Sequence, residues 1–422
     1  MDEGHGATGR DRRRAALATA RSAPAATVRL FLDADRFRLY TRTGIVLYAA
    51  IWLAIILFGH GPRDVNGRLV GGDFVLFYSA ARLATGPRPS LAYAYEANYA
   101  EENSVLGEDI VHPLFFMHPP VLLVPLALLP VFPFWAALAL FSLASLAAGY
   151  GAAAAFGLPR KTCALLFFAA PAVFQCLSQG QLALFVGGLA TGGLLLLPHR
   201  EKWSGLLLGL SLIKPHIVAA VFFYAVLKKK WRPLFWAALT FVLLAVLAEC
   251  AFGAGMWRAF FDALWGAKRI VEHGSAPISK MTTVFAAGKL FGLGNAAAYL
   301  LQGLSAVIAL AGVAYAVFVV RNVWIERASV LAACLLLPHY AYDYDWTLVL
   351  FSVFALVRAW TEAGQDMPPY LKAVTTGAYV APLLATALSR LAGVQIAPWL
   401  LLLYFGGLLA LPPKPREGSG SR

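Results

Sequence analysis

Pro338-His-Tyr-Ala-Tyr-Asp-Tyr-Asp-Trp346 interrupts two apolar runs, residues 328–337 and 346–360, and its reading decides the fold. Two carboxylates, Asp343 and Asp345, stand there among Tyr340, Tyr342, Tyr344 and Trp346. Far upstream, Gly71-Gly-Asp-Phe-Val-Leu-Phe-Tyr78 puts Asp73 at the head of another aromatic, apolar run. Between and around these breaks, roughly a dozen apolar stretches extend from Ile45 to Leu411 with almost no acid inside them. A charge at a helix centre in a bilayer costs about 2.5–3.5 kcal/mol on insertion scales, so acids that persist beside such runs are functional candidates. The pattern predicts an all-α, polytopic integral membrane protein whose chemistry sits at a membrane face.

Composition agrees. With 60% hydrophobic and 14% charged residues and a mean hydropathy of +0.67, the chain is too apolar for a soluble protein. A net charge of +13 would suggest nucleic acid in a soluble chain. Here Lys and Arg gather in the tails and in short loops between apolar runs, which orients a membrane protein and implies no nucleic-acid partner. Cys163, Cys176, Cys250 and Cys334 are far apart, within or beside apolar runs, and read as small core residues.

Residues 1–42 hold nine arginines and no long apolar run, so they are expected to form a basic cytoplasmic arm and not a cleavable signal. The stretch VRLFLDADRFRLY within it reads either as a surface amphipathic segment or as plain linker. Residues 412–422 form a polar cytoplasmic tail. The body, 43–411, opens with a first span at 43–58 and a long polar external loop at 59–113.

The basic loops at 158–161, 199–202, 228–232 and 321–327 are expected on the cytoplasmic side. Parity then conflicts at 114–131 and 203–227. The first carries His118-Pro-Pro120, Pro125 and Pro130, the second Lys214-Pro215, so both hold the breakers of a re-entrant hairpin. Kinked full spans with one basic loop outside are the alternative. The hairpin reading leaves spans at 133–156, 162–176, 182–197, 234–252, 296–320, 328–337, 346–360, 370–388 and 394–411. In all, about 10–13 transmembrane or re-entrant helices result. Asp73, Ser178-Gln-Gly-Gln181, the loop 253–289 and residues 339–345 then converge on the outer face.

Read in order, GGDF with Tyr78, the Pro-Pro pair leading to Pro125-Leu-Ala-Leu-Leu-Pro130, Gly180-Gln181, and Gly205-Leu-Leu-Leu-Gly-Leu-Ser-Leu-Ile-Lys214-Pro215 resemble glycosyltransferase family 87. The resemblance runs from residue 43 to about residue 360. It departs at His118, where Tyr is more familiar, and in the late motif 338–345. It implies a GT-C-type membrane fold and transfer of a hexose, with mannose the first choice, from a polyprenyl phosphate to a lipid or glycan acceptor. It implies inversion, and a site facing the periplasm in the cytoplasmic (inner) membrane. It further implies that an acid in the first external loop, here Asp73, serves as general base.

That reaction needs one carboxylate to take the acceptor proton and one or two cations to hold phosphate. Asp73 is the candidate base, with helix N-capping as its structural alternative. Lys214 is the candidate for the donor phosphate, against a lysine snorkelling to water. Gln181, His118 and Arg258 join the donor set. Gln181 could instead cap a helix, and Arg258, with Lys268, Arg269, His273 and Lys280, could contact lipid headgroups. Asp343, Asp345, His339 and Tyr342 are candidates for sugar or acceptor, against an interfacial aromatic belt with incidental acids. An extended backbone at 343–345 would put both carboxylates on one side. One Asp pair and scattered histidines do not make an oxygen cage, so no metal and no cofactor are expected.

The competing function is a transporter or flippase of lipid-linked sugars, which should show pseudo-symmetric halves; none is visible. No phosphate-binding Gly-rich loop, dinucleotide turn or heptad array is present.

Overall fold

The computed structural model describes residues 34–64, 67, 69–108, 115–272 and 277–413. Most of the basic arm and the tail, His273 and parts of the loop 59–113 lie outside this set. Among the described residues the fold is all-α, with isolated bridges and no sheet. The helices are α1 Ala34–Phe58, α2 Phe74–Ala84, α3 Tyr95–Leu106, α4 Phe134–Ala154, α5 Arg160–Phe168, α6 Pro171–Ser178 and α7 Ala183–Leu196. They continue with α8 Glu201–Ser211, α9 Ala219–Leu227, α10 Trp231–Phe252, α11 Met256–Glu272 and α12 Val284–Leu290. The last five are α13 Asn295–Tyr315, α14 Val323–Leu336, α15 Thr347–Ala363, α16 Pro369–Ala392 and α17 Ala397–Ala410.

Among the described residues, five helices are long and apolar enough to cross a membrane: Phe134–Ala154, Trp231–Phe252, Asn295–Val320, Asp343–Ala363 and Pro369–Ala392. The pair α5 and α6, bent by 53° where Pro171 starts the second helix, makes a sixth if it is one span. In the most apolar window of Asp343–Ala363, 78% of residues are buried, against 11% in Trp231–Phe252. The first is therefore the central post of the bundle, and α10 is its rim. Along α10, Phe235, Val242, Leu243, Val246 and Leu247 are exposed, the face a lipid-contacting helix presents.

The stretch 203–227 folds as two half-helices. Each is too short to cross: the 11 residues of α8 rise about 16 Å, against a hydrocarbon core of about 30 Å. Their outer ends meet, because Glu201, the first residue of α8, faces Lys230 (3.9 Å) and Arg232 (3.8 Å) after α9. Their shared tip is Lys214-Pro215-His216, where Pro215 begins a single 3-10 turn. Residues 116–132 likewise hold only a short, broken helical stretch, Pro120–Val131, in which the α-helical turn Leu123–Leu126 lies between two 3-10 turns. Both ends of this stretch are tied to the α2 region, since Tyr93 Oη donates to His118 O and Tyr78 Oη to Phe132 O, each at 2.8 Å.

Three sequence expectations change in detail. The loop 59–113 contains α2 and α3. Helix α1 starts at Ala34, inside the expected arm. The basic loop expected at 321–327 is mostly helix: Asn322 Oδ1 accepts from the backbone N–H of Trp324 (3.0 Å) and Ile325 (3.1 Å), capping α14 about a turn and a half early. Glu326 and Arg327 are thereby helical and buried.

The bundle has two distinct polar ends. One gathers the far end of the half-helix pair: Glu326 accepts from Tyr224 Oη (2.7 Å) and Lys228 Nζ (2.9 Å). On the same end Trp324 Nε1 donates to Glu362 (2.6 Å), and Arg358 donates to Gly157 O (3.2 Å). The other end gathers residues 71–74, 179–181, 214–216, 280–282 and 339–345.

Candidate active site

The site is built around a turn. Gln179-Gly180-Gln181 leaves α6 with Gly180 at φ +63°, and a Cβ there would sit 2.7 Å from Phe74 Cβ and 2.9 Å from Gly71 O. Only glycine allows both the left-handed backbone and this approach. The turn therefore lies flat on the GGDF segment. Asp73 N–H donates to Gln179 O (2.9 Å), and Gln181 Nε2 donates to Asp73 Oδ2 (2.5 Å). On its other flank, Gln179 Nε2 donates to Asp343 Oδ1 (3.2 Å). Three segments far apart in sequence are joined in this way, and GGDF and YDYD lie on one end of the bundle.

Asp73 occupies the N-cap position of α2, but its side chain makes no capping bond. One oxygen is held by Gln181, and among the described residues the other has no partner. Burial pushes the carboxyl above the usual carboxylate range, opposed by the charge of Lys280, by the Gln181 hydrogen bond and by Lys214, in that order.

Asp343 and Asp345 do not share a side. Residues 343–346 form a 3-10 turn, in which positions two apart point about 240° apart, so the carboxylates diverge and the extended alternative is not the one found. Asp343 is fully used, accepting from Gln179, from Tyr344 N–H (2.9 Å) and from Thr386 Oγ1 (2.9 Å). Asp345 is buried and ion-paired with Lys214, while its second oxygen accepts from Tyr342 N–H (3.0 Å). Lys214 is itself buried, its ammonium 4.9 Å from the Tyr344 ring centre. It is no snorkelling lysine: its charge ends on Asp345 at the tip of the half-helix pair. Tyr342 lies edge-on to Tyr340 (5.0 Å) and tilted against Tyr344 (5.3 Å), and forms an isolated backbone bridge with Met281.

His118 packs against Phe77 (5.3 Å) and Phe116 (5.6 Å), and its Nδ1 is buried without a partner. His216 keeps an exposed imidazole at the half-helix tip, 6.2 Å from the Tyr340 ring and within electrostatic reach of Lys214, His118 and His339. It lines a recess. His339 is also exposed, at the edge, against Tyr299 (5.4 Å) and Phe285 (5.9 Å). Burial lowers its imidazole, with Glu272 opposing and Lys268 adding. Arg258 stands apart on the exposed side of α11, with no hydrogen-bond or ion-pair partner among the described residues. The sequence did not single out His216, although it follows Lys214-Pro215 directly, and counted Lys280 only as one of a basic cluster.

The model of glycosyltransferase family 87 matches residues 116–338, more than half of the chain. The chain belongs to glycosyltransferase family 87. No curated protein and no solved structure matches it. Membership in family 87, with the apolar spans, makes it a membrane-associated glycosyltransferase. The matched span of this family 87 chain holds His118, Gln181, Lys214, His216 and Lys280. Asp73, Asp343 and Asp345 lie outside it and close the site from both sides.

Proposed function

We propose that this family 87 protein transfers a hexose, with mannose the first choice, from a polyprenyl phosphate to a hydroxyl of a lipid or glycan acceptor. The observation that carries this reading is Asp73: a carboxylate at a recess, anchored through one oxygen, not spent on its helix, and with the other oxygen unengaged. That is the arrangement a general base needs. Asp73 would take the acceptor's hydroxyl proton as the oxygen attacks the anomeric carbon from the side opposite the phosphate. The bond from that carbon to the phosphate oxygen breaks, its electron pair leaves with the polyprenyl phosphate, and the configuration inverts. Asp73 then releases the proton to water.

The remaining site residues divide by what they touch. Gln181 orients the base. The buried Lys214–Asp345 pair fixes the half-helix tip against the late motif, and His118 and His216 offer ring nitrogens to phosphate or sugar oxygens. Tyr340 and Tyr342 supply aromatic faces for the sugar ring. The far end of the bundle carries Arg160, Lys161, Lys202, Lys228, Lys229, Lys230 and Arg232, which supports a cytoplasmic assignment for it and a periplasmic one for the site.

The test is to give purified protein a panel of radiolabelled polyprenyl-phosphate sugars with a membrane lipid extract. Wild type is expected to consume one of them into a glycosylated product, and Asp73→Asn, folded equally well, to consume none. Consumption of no donor by wild type would favour transport instead, and full transfer by Asp73→Asn would remove the base.

A further inference from the structure

The site holds two lysines, and among the described residues only one is in a direct ion pair. Lys214 is buried and paired with Asp345, so its charge is balanced within the fold. Lys280, at the end of the 3-10 turn Ile278–Lys280, is half-buried and has no ion-pair or hydrogen-bond partner for its ammonium among the described residues. Its charge nonetheless acts on Asp73 more strongly than that of Lys214 does, and it acts on Asp343 as well. The turn that carries Lys280 is joined to the late motif through the Met281–Tyr342 bridge and the Thr282–Ala341 hydrogen bond, which puts it on the same end of the bundle as Asp73.

The backbone around Lys280 is held firmly. Lys280 N–H donates to Pro277 O (2.9 Å), and Met281 bridges to Tyr342. Thr282 N–H donates to Ala341 O (2.9 Å), and Gln395 Nε2 donates to Met281 O (2.7 Å). This segment is thus clamped to the late motif and to the start of α17. A partly desolvated ammonium with no acid in direct contact is stabilised when a ligand brings an anion within hydrogen-bond reach.

We propose that Lys280 is the cation that engages the departing phosphate of the lipid donor, and that Lys214, through Asp345, is a positioning residue. The inference rests on the transfer reading above and names the phosphate contact within it. As the sugar–phosphate bond breaks and its electron pair moves to the phosphate oxygen, the Lys280 ammonium donates a hydrogen bond to that oxygen and keeps its proton. A charge-assisted bond of this kind is about twice as strong as a neutral one.

The experiment measures binding of polyprenyl phosphate and of the uncharged polyprenol to full-length protein in nanodiscs, for wild type, Lys280→Gln and Lys280→Arg. The readout is the ratio of the two affinities, since a damaged fold weakens both ligands alike. Lys280→Gln is expected to lower the phosphate-to-alcohol preference by about tenfold or more, and Lys280→Arg to restore most of it. Where wild type transfers sugar, the acidic limb of the Lys280→Gln pH profile should also move upward, because the cation that favours ionised Asp73 is gone. An unchanged preference in Lys280→Gln overturns the assignment, even with transfer intact. A lost preference in a protein that transfers no sugar keeps the phosphate contact and discards the transfer reading.

Discussion

At the scale of single residues, Asp73 differs from Asp343 and Asp345 in having an oxygen left over. All three acids are withdrawn from bulk water, but Asp343 is saturated by three donors and Asp345 by Lys214 and Tyr342 N–H. The protonation state of Asp73 should therefore be visible in activity. A base whose carboxyl is raised by burial loses its charge as pH falls through that raised value, so transfer should fail on the acid side at a higher pH than a free carboxylate would set. Gln181→Ala, by removing a hydrogen bond to the ionised form, should move that limb further up; a pH–rate profile checks it. Asp73→Asn should cost about 10²–10⁴-fold in rate at neutral pH. The Lys214–Asp345 pair predicts a different pattern. Lys214→Met or Asp345→Asn alone leaves a buried charge unmatched, which typically costs about 3–5 kcal/mol, whereas the double variant should recover much of the thermal stability. Melting curves in detergent read this directly, and equal stability of single and double variants would contradict it.

At the scale of elements, close backbone approach sets the active geometry. A Cβ on Gly205 would collide with Trp236 and Pro233 of α10, and one on Gly209 would sit 2.6 Å from Ala237 O and from Thr240 Cβ. These two glycines, one turn apart, let the half-helix α8 lie against α10 and carry Lys214 and His216 to the recess. Gly205→Leu should push the tip away from Asp345 and abolish transfer with a lowered melting temperature, whereas Gly151→Ala, with open space around it, should leave both unchanged. Gly180→Ala should be among the most damaging small substitutions, since it combines a left-handed backbone with a clash against Phe74. The order of these motifs was legible in the sequence, as was the breaker Lys214-Pro215. That Gln179 would reach Asp343, or that 343–346 would close into a 3-10 turn and send its acids to different sides, was not. Alternating Tyr and Asp fit an extended strand and a tight turn equally well, and only contacts with Gln179, Thr386 and Lys214 choose between them.

At the scale of the whole molecule, the polar breaks assemble on one end of the bundle, joined through Gln179, Gln181 and the Lys214–Asp345 pair. In a cysteine-free background, Gly107→Cys and Gly294→Cys should react with a membrane-impermeant reagent from one side, and Lys229→Cys and Gly364→Cys only from the other. Labelling of Gly107→Cys and Lys229→Cys from the same side would break this topology.

The sequence by itself determined the all-α membrane class, the family and the identity of the acids worth watching, because hydrophobic runs of bilayer length and isolated carboxylates beside them are local properties of the chain. Tertiary structure alone decided which polar groups are satisfied. Lys214 and Lys280 are equally cationic in sequence. The fold buries one against Asp345 and leaves the other half-buried with no ion-pair partner among the described residues, because pairing depends on which distant segments the packing of helices brings within hydrogen-bond reach.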